Sequence, residues 1–236
     1  MKSLNNWLLV LSVLSCFGCS SPVHEDDRGC AFVSDSIQYR VEFMSAGCVR
    51  ILSFPEGDTL VTRRLVVDSE KPAFKDYKWE DTGQKLLFRT RELSVVFDKA
   101  DAAFIFQETS TGKLLLKEKG DRKARNFKRS VAGGEQCLEV TQRFVPTEDE
   151  AIYGLGQYQN GIMNYRGKSV LLLQANMDIV NPFLISTNGY GVLWDNYSST
   201  KFEDTKEGYS FTSEVGDASD YYFVYGKNMD EVLAGY

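Results

Sequence analysis

From Ser36 onward the apolar residues of this chain recur at every second position, in short runs separated by turn residues. Successive side chains of a β-strand point to opposite faces, so each such run predicts a strand with one buried side. Residues 36–44, SIQYRVEFM, are the clearest case, with Ile37, Tyr39, Val41 and Phe43 on one face. Residues 48–54 follow. Pro55-Glu56-Gly57-Asp58 then makes a turn in which proline fixes φ and glycine accepts positive φ. The pattern predicts further strands at 60–67, 85–90, 93–97, 103–107 and 113–117. Another covers 137–145, where Leu138, Val140 and Gln142 oppose Glu139, Thr141 and Arg143. Strands at 168–174, 183–186, 190–194, 209–213 and 221–225 complete the series. Short runs at near-regular spacing, rich in β-branched and aromatic residues, read as an all-β sandwich over residues 36–226. One helix start stands out, with Asn228 as cap and Asp230 and Glu231 in the first turn, where the helix dipole favours negative charge. Residues 227–236 give it about two turns, too few for stability without tertiary support.

The first 19 residues read differently. Lys2 supplies a positive start, residues 7–14 an apolar core, and Ser15-Cys16 and Gly18-Cys19 small residues before a cysteine. The run is too short to span a membrane, which takes about 20 apolar residues. It looks like a bacterial lipoprotein signal, in which a cysteine is lipidated after cleavage. Val13 favours Cys16, whereas Gly18 and the polar residues 20–28 favour Cys19. An ordinary secretory signal is the alternative. Residues 20–35 would then be a polar tether. The expected location is that of an exported lipoprotein, held by its lipid at the outer membrane, in the periplasm or at the cell surface.

Composition excludes several functions. A net charge of −6 and a pI near 5.0 leave no basic stripe to neutralise phosphates, so no nucleic-acid partner is expected. The densest basic cluster, residues 122–129, reads as a solvated hairpin or loop. Cys30, Cys48 and Cys137 are too sparse for a disulfide framework and have no C-x-x-C spacing for zinc, so no metal is expected; they read as small buried residues, with one bridge among them as the alternative. The single histidine, His24, excludes a Ser-His-Asp triad, and G-x-S-x-G is absent. Gly154-x-Gly156 lacks the third glycine of a dinucleotide fingerprint, with Gln159 in its place. No cofactor is implied.

The stretch 152–202 carries most of the functional information. Gly154 and Gly156 follow a short apolar run, so the backbone there turns tightly or approaches something closely. The polar tripeptide Gln174-Ala175-Asn176 ends the strand at 168–174. Asn181-Pro182 precedes a second apolar run, and Asn188-Gly189 marks a turn into Tyr190-Gly191-Val192-Leu193-Trp194. This succession, YGLGQ then Q-x-N then NPFLIS then GYGVLWDN, resembles glycoside hydrolase family 31, and within it the bacterial α-xylosidases. The resemblance implies a galactose mutarotase-like N-terminal β-sandwich that leans a loop over a following (β/α)8 barrel. The two catalytic aspartates lie on that barrel, which would begin where residue 236 falls.

What the resemblance implies for function is hydrolysis of a terminal α-linked sugar with retention, foremost α-xylose from xyloglucan fragments. Two carboxylates suffice for that chemistry, without a cofactor. Asp178, Asp195 and, just past its end, Glu203 and Asp204 are the acids of the stretch and read as turn and rim charges, so no catalytic residue is expected here and the chain alone is expected to be inactive. Sugars are held by aromatic faces and by amides or carboxylates. Asn176 is the first candidate for sugar contact, with Gln174 and Asp178 beside it, and the alternative is that Asn176 satisfies its own loop. Tyr158 and Tyr165, in the looser stretch after the glycines, are placed to reach a ligand, whereas Tyr153, Tyr190 and Trp194 read as packing. Asn196-Tyr197-Ser198 fits a glycosylation sequon by coincidence. The expected partners are an oligosaccharide and a catalytic barrel, in the same chain or another. The competing readings are a non-catalytic carbohydrate-binding or scaffold module, and an unstable gene fragment. Exposed aromatics would favour the module; an aliphatic, polar-rimmed face would favour an interdomain surface.

Overall fold

A computed structural model describes residues 23–58, 66, 73–120 and 126–236. The candidate lipidation cysteines Cys16 and Cys19, the targeting segment and nearly all of the strand expected at 60–67 lie outside these residues. The chain opens with β1 (His24–Glu25), β2 (Cys30–Ser34), β3 (Ile37–Phe43) and β4 (Cys48–Pro55). Next come β5 (Lys78–Asp81), β6 (Lys85–Arg89), β7 (Leu93–Asp98), β8 (Ala103–Glu108), β9 (Leu114–Glu118), β10 (Phe127–Ala132) and β11 (Glu135–Val145). Then follow β12 (Ile152–Gln157), β13 (Ser169–Leu172), β14 (Ile179–Ser186) and β15 (Tyr190–Trp194). The last elements are β16 (Thr200–Thr205), β17 (Gly208–Ser213), β18 (Ser219–Tyr225) and helix α1 (Met229–Gly235).

The strands form two antiparallel sheets. One runs β1-β2-β3-β4-β18-β15-β14-β12 and the other β13-β16-β17-β11-β9-β8-β7-β6-β5, with β10 added as a hairpin on β11. Their inner faces meet through aromatic rings. Phe106 of β8 stacks on Phe223 of β18 at 4.2 Å, Trp194 of β15 on Phe211 of β17 at 5.6 Å, and Phe144 of β11 meets Tyr221 edge-on at 5.2 Å. The buried Trp194 indole N–H donates to Ser213 Oγ at 2.8 Å, so the ring's polar atom is satisfied. The core thus follows from the alternation: Val41 and Phe43, Val140 and Gln142, Tyr190 and Trp194 all point inward.

One boundary differs from expectation. The sandwich begins before residue 36, because Cys30 and Phe32 of β2 are buried in the inter-sheet core and Phe32 packs on Phe97 at 4.8 Å. A strand of five residues with only two strong apolar side chains inside was masked by its polar surroundings. The basic stretch contributes β10, whose Lys128 is exposed and lies 3.6 Å from Glu139 on the facing strand, in keeping with a solvated hairpin. Helix α1 is short, as its sequence implies. Asn228 Oδ1 accepts from Glu231 N at 2.9 Å, and Glu231 Oε2 accepts from Lys227 N at 2.9 Å. Tertiary contact supplies the missing support, since Val232 is buried against Phe183, Leu193 and Val224 and the Tyr236 ring stacks on Phe183 at 4.2 Å. The three described cysteines are free, with Cys30 and Cys48 buried. No described helix is long and apolar enough to cross a membrane.

Candidate functional site

The segment between β13 and β14 crosses from one sheet to the other, because β13 is the outer strand of the second sheet and β14 lies next to the outer strand of the first. Its base is fixed by the two glycines of β12. Gly154 and Gly156 have φ of 101° and 120°, and the register between β12 and β14 shifts between them. A Cβ on Gly154 would lie 2.5 Å from the Phe183 carbonyl oxygen, and one on Gly156 only 2.1 Å from that of Ile179. Close backbone approach is therefore what these glycines provide. Pairing of β14 with β15 starts at Phe183, just past Pro182, which has no N–H to offer a ladder.

On that base the residues expected to touch sugar are laid out as follows. Gln174 Oε1 accepts from Val180 N at 3.2 Å, which ties the loop back onto β14. Asn176 is exposed at the tip, and among the described residues its side chain has no hydrogen-bond partner. Asp178 is half-buried. The Tyr158 ring packs against the core and its hydroxyl donates to Leu155 O at 3.0 Å. Burial pushes that hydroxyl up to about 12, and Tyr165 and Asp178 add to the rise, so Tyr158 and Asp178 share one electrostatic neighbourhood. Tyr165 is not available to a ligand: it is buried and meets Phe202 edge-on at 6.2 Å. Around the loop, Met163, Leu171, Leu173, Met177 and Ile179 are each at least 49% exposed, an aliphatic rim at the sandwich edge.

At the ends of β13 and β14 away from this loop lies a group that sequence reasoning missed. Arg166 Nε donates to Asp204 Oδ2 at 2.9 Å, and its Nη1 donates to the carbonyls of Thr147 and Glu150 at 3.0 and 3.2 Å. Asp204 Oδ2 also accepts from Gly167 N. The Glu150 carboxylate accepts from Ser186 Oγ at 2.7 Å and from the Tyr190 hydroxyl at 3.0 Å; burial raises its pKa against these donors and Arg166. Asp204 is therefore a buried anchor and not a rim charge. It takes the third inward position of β16 after Thr200 and Phe202, where an acid is not expected from the alternation. Glu203, by contrast, pairs with Lys201 at the surface at 2.7 Å, as expected of a rim acid. In the sequon, Asn196 Oδ1 accepts from Ser198 N and Oγ at 2.8 Å, and its Nδ2 donates to Val215 O, a self-contained turn.

A third buried acid, Glu118, sits between the sheets. Its Oε1 accepts from the Tyr221 hydroxyl at 2.7 Å and from Gln142 Nε2 at 2.8 Å, and its Oε2 from Phe104 N at 2.8 Å. Burial pushes its pKa up to about 7 despite these donors. Glu118 and Glu150 are enclosed in the core with their oxygens committed to protein donors, which suits them to holding strands and not to meeting a substrate. Among the described residues, no group of three or more His, Cys, Asp or Glu side chains is arranged to hold a metal ion.

The two sheets, the glycine-bulged β12 and the crossing loop define an all-β sandwich. Residues 38–203 match the N-terminal galactose mutarotase-like domain of glycosyl hydrolase family 31, and the chain belongs to that family. Over 216 residues it is 33% identical to an α-xylosidase of Saccharolobus solfataricus, covering 85% of this chain and 28% of that protein. A soil-metagenome family 31 α-xylosidase solved with xylose superposes with a TM-score of 0.76 at 21% identity, over 91% of this chain and 34% of that one. A Flavobacterium johnsoniae dextranase solved with isomaltotriose gives 0.72 at 20%, over 92% and 27%. The chain thus spans about a third or less of the length of these three proteins.

Proposed function

We propose that this chain is the N-terminal domain of a glycosidase that removes terminal α-linked sugars, foremost α-xylose from xyloglucan oligosaccharides, and that the 173–178 loop forms part of its sugar-binding mouth. The observation that carries the reading is the loop itself: an exposed amide tip, Asn176, on a glycine-locked base, framed by aliphatic side chains. Exposed aliphatic side chains around a polar tip suit a surface that another domain covers, with the tip left at the seam. Exposed aromatics, which a free-standing sugar-binding module would need there, are not what frames the loop. The xylose preference is borrowed from the relative that shares a third of its residues.

In this reading a barrel supplies the nucleophile and the acid. The sandwich supplies no reacting group: Asn176 hydrogen-bonds a sugar hydroxyl, Gln174 holds the loop, and Asp178 and Tyr158 shape its inner side. The 1–19 segment would place the domain outside the cytoplasm on a lipid attached to Cys16 or Cys19. Labelled palmitate would appear in the natural chain and disappear in one of Cys16→Ala or Cys19→Ala; an unlabelled natural chain contradicts the anchor. The functional test is hydrolysis of aryl α-xyloside and aryl α-glucoside. The 236-residue chain alone should turn over neither. Continued by a family 31 barrel, it should prefer the xyloside. Turnover by the chain alone, or a glucoside preference in the joined protein, overturns the corresponding part.

A further inference from the structure

At the opposite edge of the second sheet, β5 and β6 border a groove of about 600 Å³, within the size range of ligand sites. Nine strands lie in line from β13 to β5, and their eight spacings of about 4.8 Å put the groove roughly 40 Å from β13 and the 173–178 loop. Lys78 of β5 stands directly opposite Arg89 of β6. Both side chains face away from the core, since Leu86 and Phe88 take the inward positions of β6. Like charges directly opposed destabilise a strand pair. Among the described residues neither cation has an ion-pair partner, whereas neighbouring Arg91 is paired with Glu92 at 3.1 Å. Two acids, Asp76 and Glu80, line the same groove.

We infer that this groove binds an acidic saccharide, its carboxylate held by Arg89 and Lys78. The mixture of charges argues for it. A bare inorganic anion would meet repulsion from Asp76 and Glu80, whereas a sugar acid brings hydroxyl donors for those carboxylates and a carboxylate for the planar guanidinium fork. The Leu87 side chain, on the same outward face as Lys78 and Arg89, gives the C–H face of a ring something to rest on. The groove is also built in advance. Glu25 of β1 accepts from the Trp79 indole N–H and the Tyr77 hydroxyl, each at 3.0 Å, which pins the strand bearing Lys78. Thr109 Oγ1 donates to Thr90 O at 3.2 Å on the opposite side. That the hydroxy acid is a sugar rests on the family reading; the carboxylate requirement does not.

Titration calorimetry with trigalacturonate, cellotriose and sulfate tests the inference on the 236-residue chain. Trigalacturonate should bind, cellotriose and sulfate should bind far more weakly, and Arg89→Gln should weaken trigalacturonate by about tenfold or more. Lys78→Gln should weaken it too, and Asn176→Ala should leave it unchanged. Equal affinity for cellotriose, equal affinity for sulfate, no binding of trigalacturonate, or indifference to Arg89→Gln each overturns it. Arg89 and Lys78 are exposed, so both variants should fold. Aryl xyloside hydrolysis by the barrel-joined protein should be untouched by Arg89→Gln, which separates failure here from failure of the glycosidase reading.

Discussion

The interior of this sandwich and its β13–β14 edge break opposite rules. Inside, where apolar side chains belong, sit the carboxylates of Glu118, Glu150 and Asp204, each holding two or more protein donors. Outside, where polar side chains belong, Met163, Leu171, Leu173, Met177 and Ile179 face water. A buried carboxylate persists when hydrogen bonds or an opposite charge offset its lost hydration, and these acids find their partners inside the protein, with only Asp204 Oδ1 among their oxygens left without a hydrogen bond. An aliphatic rim gains nothing from water. It is an open system, and the loop with Asn176 sits in the middle of it. The contrast separates residues that make the fold from residues that serve something outside it.

Breaking the interior should cost most. Arg166→Ala leaves Asp204 buried without its cation, and urea unfolding should show a loss of about 3 kcal/mol. A change below 1 kcal/mol would mean that the anchor is ornamental. Next in size is a pH effect. Glu118 has a folded pKa of about 7 against 4.5 for the exposed group, so the folded state holds its proton more tightly. Below 4.5 both states are protonated and nothing is lost; as pH rises to 7 the folded state is increasingly penalised, by up to about 3 kcal/mol. Glu118→Gln cannot titrate. The stability of the natural chain relative to this variant should therefore fall between pH 4.5 and 7 and level off above it. A flat difference across that range contradicts the assignment.

Breaking the edge should cost the isolated chain almost nothing. Leu171→Asn and Met177→Asn should shift unfolding by no more than about 0.5 kcal/mol, since neither side chain packs inside. The same changes should weaken association with a family 31 barrel supplied separately. Loss of stability in the isolated chain would show that the rim is part of the core after all.

How much of this was legible in the sequence depended on whether its signal was local. Strand β15 is read to the residue, because five consecutive side chains, a preceding Asn-Gly and a following Asp-Asn all speak locally. The cap of α1 is legible for the same reason. Strand β2 was lost because its polar surroundings hid Cys30 and Phe32, whose burial depends on Phe97 more than 60 residues away. Strand β16 was lost because an acid holds an inward position, which the alternation rule counts against a strand. Tyr165 was misplaced for a related reason. It looks like an aromatic in a loose loop, yet its N–H donates to Ile152 O and Asn164 Oδ1 accepts from Ile152 N, so the loop is drawn onto the core. The loop with Gln174 and Asn176 lay where its punctuation put it. The edge groove at Lys78 and Arg89 was invisible, because opposing cations across two strands require register, and register is a property of pairs.

The most direct test of the central claim is the kinetics of Asn176→Ala in the barrel-joined protein with an aryl α-xyloside. A lost hydrogen bond to a sugar hydroxyl should lower kcat/KM by about tenfold while unfolding stays within about 0.5 kcal/mol of the natural protein. An unchanged kcat/KM in a stably folded variant would remove the loop from the sugar-binding mouth and leave the domain a purely structural role.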